Sequence, residues 1–381
     1  MFVDYILNGQ GHGNVAEQLA GTGFDPGLLR PYIDGGGNKC VTVNTGRTEY
    51  DADSGQYKPL FEKRLVSECV ANGINSPVFN ATSLRKQEWL QLDSVVLRAA
   101  RERLRAWSDL AGVNSFGGFN GMSKMILEHE TMSDPGEAVV DMDGLTEGRT
   151  DTPRFQLEGL PLPITHSDFW FSSRRLAVSR NTGTPLDTTM GEAAGRRVAE
   201  QIEKTLIGTV TGASYGVAGD YSNAPTVYGY TNHPDRNTKT DLTVPDGTNG
   251  ATTVDEVLSM IETLMGDKFF GPYMVYHSTD WDKYLDDDYR TNDDRTLRAR
   301  LREIEQVQDV RRLDFLSNTF TLLLVQMTSD VARAVNGMDI TTVQWDSVGG
   351  MRVNFKVMAI QVPQIRSDFN GNCGILHATT A

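Results

Sequence analysis

The stretch Leu157–Gly208, LEGLPLPITHSDFWFSSRRLAVSRNTGTPLDTTMGEAAGRRVAEQIEKTLIG, constrains the fold more than any other. In its second half Met190, Ala194, Val198, Ile202 and Leu206 recur every fourth residue. That spacing is close to the helical repeat and sets them along one side of a long amphipathic helix. Thr189 followed by Glu192 has the spacing of a capping box, and Gly208 offers a stop. Ahead of the helix, apolar segments punctuated by proline favour extended chain. A long extended excursion therefore feeds directly into a long helix, and no catalytic residue stands out in either.

At 381 residues the chain has room for two or three domains with well-buried cores. No run of about 18 apolar residues occurs, which excludes a transmembrane helix and a membrane partner held through one. The N-terminus, MFVDYILNGQGHGN, lacks the basic start and apolar core of a signal peptide, so synthesis in the cytoplasm is expected. Cys40, Cys69 and Cys373 are odd in number and widely spaced, which fits reduced structural thiols better than a disulfide framework or a zinc site. The formal net charge of −14 argues against a general nucleic-acid binder, which needs a basic surface to displace counterions. It suits a soluble protein kept apart from like copies until specific contacts form. It equally suits a container wall that must not adhere to a polyanion inside it.

Residues 1–83 are rich in Gly, Asn and Asp, with turn signals at Phe24–Gly27 and Asp34–Gly37. Only Val41 and Val43 alternate as in a short strand, so the segment reads as an extended arm with little core of its own. From Leu84 to Leu110 the pattern is helical: Trp89, Leu92, Val96, Ala99, Ala100, Leu104 and Trp107 trace one stripe. Arg98, Arg101, Arg103 and Arg105 make part of this helix basic. The bland reading is a solvated face with ion pairs; the sharper one is an inner surface that meets nucleic acid or another subunit. Between Gly112 and Asp168 helical periodicity fades among many acids. Val139 and Val140, then Phe155, Leu157, Leu160 and Leu162, are expected to form the two legs of a long hairpin, an arm reaching onto a neighbour.

Thr209–Gly250 is mostly turn-forming. Thr253 and Glu256 again have capping-box spacing, at the start of a helix whose buried face is Val254, Val257, Leu258, Ile261, Leu264 and Met265. A strand at Pro272–His277 follows, then a short helix capped by Thr279, a helix through Leu297, Leu301 and Ile304, and a strand at Phe320–Met327. Ser329–Asn336 reads as a short helix stopped by Gly337. This alternation predicts an α/β domain. Met351, Val353, Phe355, Val357 and Ala359 alternate with Arg352, Asn354, Lys356 and Met358, giving a strand with one buried face. It is expected to return to strands flanking the long helix, whose stripe would pack beneath it.

Motifs that carry chemistry are weak. Gly212–Gly216 (GASYG) matches a nucleophile elbow around Ser214, but a helix precedes it and a Gly/Asn-rich loop follows, the reverse of the required context. His233-Pro234-Asp235 lacks the basic helix that precedes this tripeptide in J-domain proteins and reads as a tight turn. Asp286, Asp287, Asp288, Asp293 and Asp294 lack the spacing and glycine of a calcium loop. His12, His129, His166, His277 and His377 have no metal-ligand spacing. Gly9–Asn14 lacks the strand and the last glycine of a dinucleotide fingerprint. No catalytic, cofactor-binding or metal residue is assigned, and the chain is expected not to be an enzyme.

The order of elements carries a resemblance. An arm, a basic amphipathic helix, an extended loop, a long helix, an inserted α/β domain and returning strands follow one another as in tailed-bacteriophage major capsid proteins. The same fold occurs in encapsulin nanocompartment shells, and the chain resembles both over roughly residues 85–381. Gln87-Glu88-Trp89 resembles the start of an encapsulin's N-terminal helix, and Leu160–Ile164 leading into Arg175–Ser179 resembles the strand between extended loop and spine helix. The helix from Thr189 to Gly208 is similar to that spine helix. Thr226–Pro234 resembles an Asn-His-Pro segment of phage shells, and Gly271-Pro272-Tyr273 with Thr279-Asp280-Trp281 and Tyr284-Leu285 resembles the axial strand and helix of encapsulins. The N-terminal arm is a departure from a typical encapsulin and favours a viral shell.

The resemblance implies an α+β tailed-phage major capsid fold, with an arm at 1–83, an N-terminal helix region at 84–119 and an extended loop at 120–172. A peripheral β-rich domain at 173–250 and 341–381 would hold the spine helix 189–207, and an axial domain would span 251–340. It further implies pentamers and hexamers of an icosahedral virion head made in a bacterial host and enclosing double-stranded DNA by loose contact. Portal, scaffold and decoration proteins would be the other partners. An encapsulin shell around an enzyme cargo is the alternative. Some members carry a covalent Lys–Asn cross-link; no lysine lies between Met125 and Ser173, with Lys124 at the edge, so none is expected here.

Overall fold

The computed structural model describes residues 28, 30–51, 56–72, 84–133, 140, 142–143, 152, 154–182, 188–210, 226–246, 250–288, 295–316, 320–347 and 350–380. Ser214, Gly9–Asn14, Asp293, Asp294 and Val139 lie outside the described residues. Val41 and Val43 do lie in a strand, but it is long and partnered. β1 (Tyr32–Ile33), β2 (Lys39–Asp51), β3 (Gln56–Leu65) and β4 (Leu84–Arg85) form a sheet in the order β3-β2-β1-β4. Cys40, Val41, Val43 and Leu84 are fully buried at its root, with α1 (Val66–Ala71) packed beside it. The described part of the segment thus has a small core, within the expectation of an arm with little core of its own. The two-residue strands β1 and β4 are what the sequence pattern could not reveal, because two residues carry no period and the two strands pair with each other across the long stretch from Tyr32 to Leu84.

The single helix expected over 84–110 is two: α2 (Lys86–Arg101) and α3 (Ala106–Val113). The chain turns at 102–105, and α3 restarts where the Glu203 carboxylate accepts the N–H groups of Ala106 (2.7 Å) and Trp107 (3.1 Å). Beyond β5 (Ser115–Phe116), β6 (Ile126–Met132) and β7 (Phe155–Pro161) pair as an antiparallel hairpin. Its second leg is the expected one; its first runs through Glu128 and Glu130 instead of Val139 and Val140.

β8 (Thr165–Ser172) and α4 (Ser173–Thr182) lead to the spine, α5 (Thr189–Ile207). Ala194, Val198, Ile202 and Leu206 are buried, whereas Met190 is half exposed. The inward position of that first turn belongs to Gly191, where a Cβ would stand 2.6 Å from Leu92 Cδ1. Close approach of α2 to α5 therefore selects glycine and turns Met190 outward. The N-cap is Thr188, whose side chain makes no cap hydrogen bond, so the capping box at Thr189 is out of frame by one residue. Gly208 ends the helix at φ 100°, the left-handed conformation that glycine adopts without strain.

The remaining elements are β9 (Asn237–Lys239), α6 (Gly250–Gly266), β10 (Tyr273–His277), α7 (Asp282–Leu285), α8 (Leu297–Arg302), β11 (Val307–Arg312), β12 (Leu322–Gln326), β13 (Ala332–Ser347), β14 (Arg352–Ile365) and β15 (Ile375–Ala378). α6 begins earlier than expected, so Thr253 and Glu256 lie inside it; Glu256 instead accepts the N–H (2.9 Å) and hydroxyl (2.6 Å) of Thr243. Leu258 and Met265 face outward, and Met260 is buried. The expected helix at Ser329–Asn336 is instead a turn at 329–331 followed by the start of β13 at Ala332. Ala332 and Ala334 point inward on either side of Arg333 and pair with Ile365 and Pro363 of β14. Long-range pairing overrides the local preference of an alanine-rich run, and Gly337 marks an irregularity in the register instead of a helix stop.

β5-β13-β14-β8 form one sheet, and β11-β10-β12-β15-β9 another. The first lies over α5 and buries Phe169, Phe171, Val353, Phe355 and Val357 against it. β14 is covered on both faces, since Asn354 and Met358 are also buried. The second sheet packs with α6 around Leu264, Tyr273, Trp281 and Leu324. The expected domain ranges cut across both sheets. Residues 332–340 belong with the spine sheet, while β9 and β15 complete the other. The chain thus crosses between the two bodies several times.

Candidate functional site

The hairpin β6–β7 is fixed at its root and bare beyond it. Leu160 and Leu162, with Leu127, pack on Val227, Val335, Ile360 and Val362 of the body. At the root Gly121 meets Gly337 so closely that a Cβ on Gly121 would stand 2.8 Å from Gly337 Cα, so the strand enters at a fixed angle. Residues directly opposite in an antiparallel pair share a face. Leu127↔Leu160, His129↔Glu158 and Thr131↔Gln156 therefore form the face toward the body. Glu128↔Gly159, Glu130↔Leu157 and Met132↔Phe155 form the face away from it. On that outer face Ile126, Met132, Phe155 and Leu157 are 50–62% exposed. A two-stranded ribbon is marginal in water by itself, and contiguous exposed apolar residues mark an interaction surface.

Apart from this arm, α3 is tied to the spine and to the second sheet by a buried polar joint that the sequence did not announce. Glu203 of α5 is 2% exposed; burial, outweighing its two N–H bonds, pushes its carboxyl up to about 7. One turn along α3, Asp109 takes the Tyr276 hydroxyl (3.2 Å) and an ion pair with Arg311. Burial raises the Asp109 carboxyl against the pull of Arg311. Tyr276 stacks on Tyr230 at 6.1 Å, and the acidity of both phenols is suppressed by burial. Helix–helix contact is close here too: a Cβ on Gly195 would meet Val96 O at 2.9 Å.

The four arginines proposed for an inner basic surface have different fates. Arg103 lies 3.7 Å from Glu200 and Arg105 lies 3.6 Å from Asp314, surface ion pairs in which the arginines stay 41% and 47% exposed. Arg98 and Arg101 are exposed on the last turn of α2, where a shallow cleft also takes in Ser94, Leu97 and Glu102. Of the other candidates, His233 is buried in a tight turn, accepting from Asp235 N at 3.3 Å while Arg236 donates to its carbonyl at 2.8 Å. Asp286 pairs with Arg298 at 2.8 Å. Cys40, Cys69 and Cys373 are buried free thiols, and burial pushes Cys373 up to about 12. Among the described residues no group of three or more His, Cys, Asp and Glu side chains is placed to hold a metal ion. Among them, too, no helix is long and apolar enough to cross a membrane.

Comparison with solved structures places this arrangement. A virus-like particle from Pyrococcus furiosus superposes with a TM-score of 0.52 at 16% identity, covering 76% of this chain and 98% of that one. The capsid of Myoviridae phage XM1 gives 0.53 at 12% identity, covering 72% of this chain and 92% of that one. At these identities the likeness is one of fold, and the fold is that of phage major capsid proteins. Among curated proteins no sequence matches. Residues 80–378 match the family described as "Family of unknown function (DUF6260)", and the chain belongs to that family.

Proposed function

We propose that this chain is the major shell protein of a tailed-bacteriophage head, assembling with itself around double-stranded DNA. The observation that carries the reading is the hairpin β6–β7, which holds Met132, Phe155 and Leu157 away from its own body in a chain with a shell fold. Such a surface costs solubility unless another copy covers it, and a closed lattice multiplies many weak contacts into a stable particle. Interfaces between identical chains in a closed shell are heterologous and must close on themselves. The spine helix would serve as the beam, the α/β body would crowd the capsomer axis, and the hairpin would lie over a neighbour. With a net charge of −14 the wall would adhere little to packaged DNA, leaving local contact to Arg98 and Arg101. The role is geometric, with no enzymatic step. Portal, scaffold and decoration proteins would join it in the virion.

A second reading, a compartment shell around a protein cargo, is favoured by the near-complete coverage of the Pyrococcus particle chain. The β2–β3 ribbon ahead of the family match, which starts at residue 80, favours the viral one. Negative-stain microscopy of the purified chain is expected to show hollow particles; only small oligomers would refute both readings. Nuclease-protected DNA in native particles would support the viral head, and a co-purifying folded protein the compartment.

A further inference from the structure

The outer face of the hairpin is not merely apolar. Glu128 and Glu130 stand on it, exposed and about 7 Å apart along the strand, among Ile126, Met132, Phe155 and Leu157. Neither acid forms an ion pair among the described residues. This outer face therefore presents an apolar strip with two carboxylates, Glu128 and Glu130, unpaired among the described residues.

One patch on the body has the complementary character. On β8 the side chains alternate, and Phe169 and Phe171 turn toward the spine while Trp170 turns to solvent, 52% exposed. The Arg352 guanidinium lies 4.4 Å over the Trp170 ring. Met351, 61% exposed, adjoins them. Ser173 N donates to Met351 O at 3.0 Å, which seats the first turn of α4 against the same corner. Arg174 and Arg175 project from that turn, exposed and with no ion pair among the described residues. The patch therefore presents an apolar surface edged by arginines that have no ion pair among the described residues.

We infer that the outer face of β6–β7 docks on the Trp170–Met351 corner of a second copy of this chain, with Glu128 and Glu130 facing Arg174, Arg175 and Arg352. This rests on the shell reading and specifies which two surfaces meet. A contact within one chain is disfavoured because the opposite face of the hairpin is the one packed on its own body. Exposed charges of opposite sign rimming apolar centres are the arrangement that sets register and partner choice. Each pair alone is weak and screened by salt, but every subunit repeats the contact around the shell.

Charge reversal with rescue tests it in the full-length chain. Glu128→Arg with Glu130→Arg is expected to lower particle yield at least about tenfold, with circular dichroism unchanged. Arg174→Glu with Arg175→Glu should do the same. Combining all four reversals should restore most of the yield, an outcome that a general loss of folding or solubility cannot produce. Intermolecular disulfide trapping of Leu157→Cys with Met351→Cys should give covalent multimers. If wild type forms particles but the combined variant is no better than either pair, and no trapping occurs, the docking pair is wrong while the shell reading stands. If wild type forms no particles, both are overturned.

Discussion

α5 buries Ala194, Val198, Ile202 and Leu206 beneath β8 and β14, whereas β6–β7 holds Met132, Phe155 and Leu157 in solvent. Both elements are amphipathic, and β8 and α4 separate them along the chain. The helix finds its apolar partner within its own fold, so its side chains contribute to subunit stability at about 1.5–3 kcal/mol for each large one buried. The hairpin is docked only at its root, through Leu127, Leu160 and Leu162. Its distal apolar residues contribute almost nothing to the isolated subunit, which is why they are available to a neighbour. The helix buries its apolar face within the chain, whereas the hairpin leaves its distal apolar face uncovered, which is the surface the proposed shell contact would use.

The sharpest way to break this contrast is to put a charge under the sheet. Val198→Asp places an unpaired carboxylate where the side chain is 1% exposed. It should cost about 5 kcal/mol or more and abolish cooperative unfolding in a chemical melt. Next in size is the pH dependence that Glu203 builds into the spine. Its carboxyl sits at about 7 against an ordinary 4.5. Between those values the folded chain holds a proton that the unfolded chain has lost, so stability falls as pH rises through the window. The full effect is about 3 kcal/mol. Glu203→Gln keeps an acceptor oxygen for only one of the Ala106 and Trp107 N–H groups, so it should lower stability at every pH, but it has no proton to lose and should remove that slope. Thermal melts at about pH 5 and about pH 8, compared between wild type and variant, read it directly.

A smaller effect is expected at the helix–helix contact. Gly195→Ala drives a methyl into Val96 O and should cost about 1–3 kcal/mol, measured as a shift of the urea midpoint. Smallest of all should be Leu157→Ser on the hairpin, within about 0.5 kcal/mol for the dissociated subunit, while particle yield falls. Were Leu157→Ser to destabilise the subunit as much as Gly195→Ala, the hairpin would belong to the core and the contrast would collapse. Shortening the loop around Gly144–Gly148 should likewise leave the subunit melt unchanged and impair assembly.

Elements whose information is local were legible from the residues alone. The spine's four-residue repeat, its Gly208 stop, the period-two run at Val353–Ala359 and the strand in Phe320–Met327 depend on side chains a few positions apart. The misreadings share one cause. Ser329–Asn336 has helical preferences, yet pairing with β14 makes it a strand from Ala332 on. Met190 continues the repeat, yet the closeness of Leu92 gives its turn to Gly191. Thr253 and Glu256 have cap spacing, yet Glu256 is engaged by Thr243 across the fold. All four arginines on α2 and after it are exposed, and only the structure shows that Arg103 and Arg105 have an acid at 3.6–3.7 Å while Arg98 and Arg101 have no ion pair among the described residues.

By itself the sequence determined that a long extended segment runs into a long one-sided helix, that a second α/β body follows, and that the surface is strongly acidic. Periodicity and composition carry those facts because they record how each residue meets water or core along a single element. Which apolar faces remain uncovered was decided only by the tertiary structure. Leu160 and Leu157 are equally apolar and stand on the same strand, but one is buried on Val335 and Ile360 and the other is open to solvent. That difference is set by where the body ends beneath the hairpin, a property of packing between elements distant in sequence that no local pattern encodes.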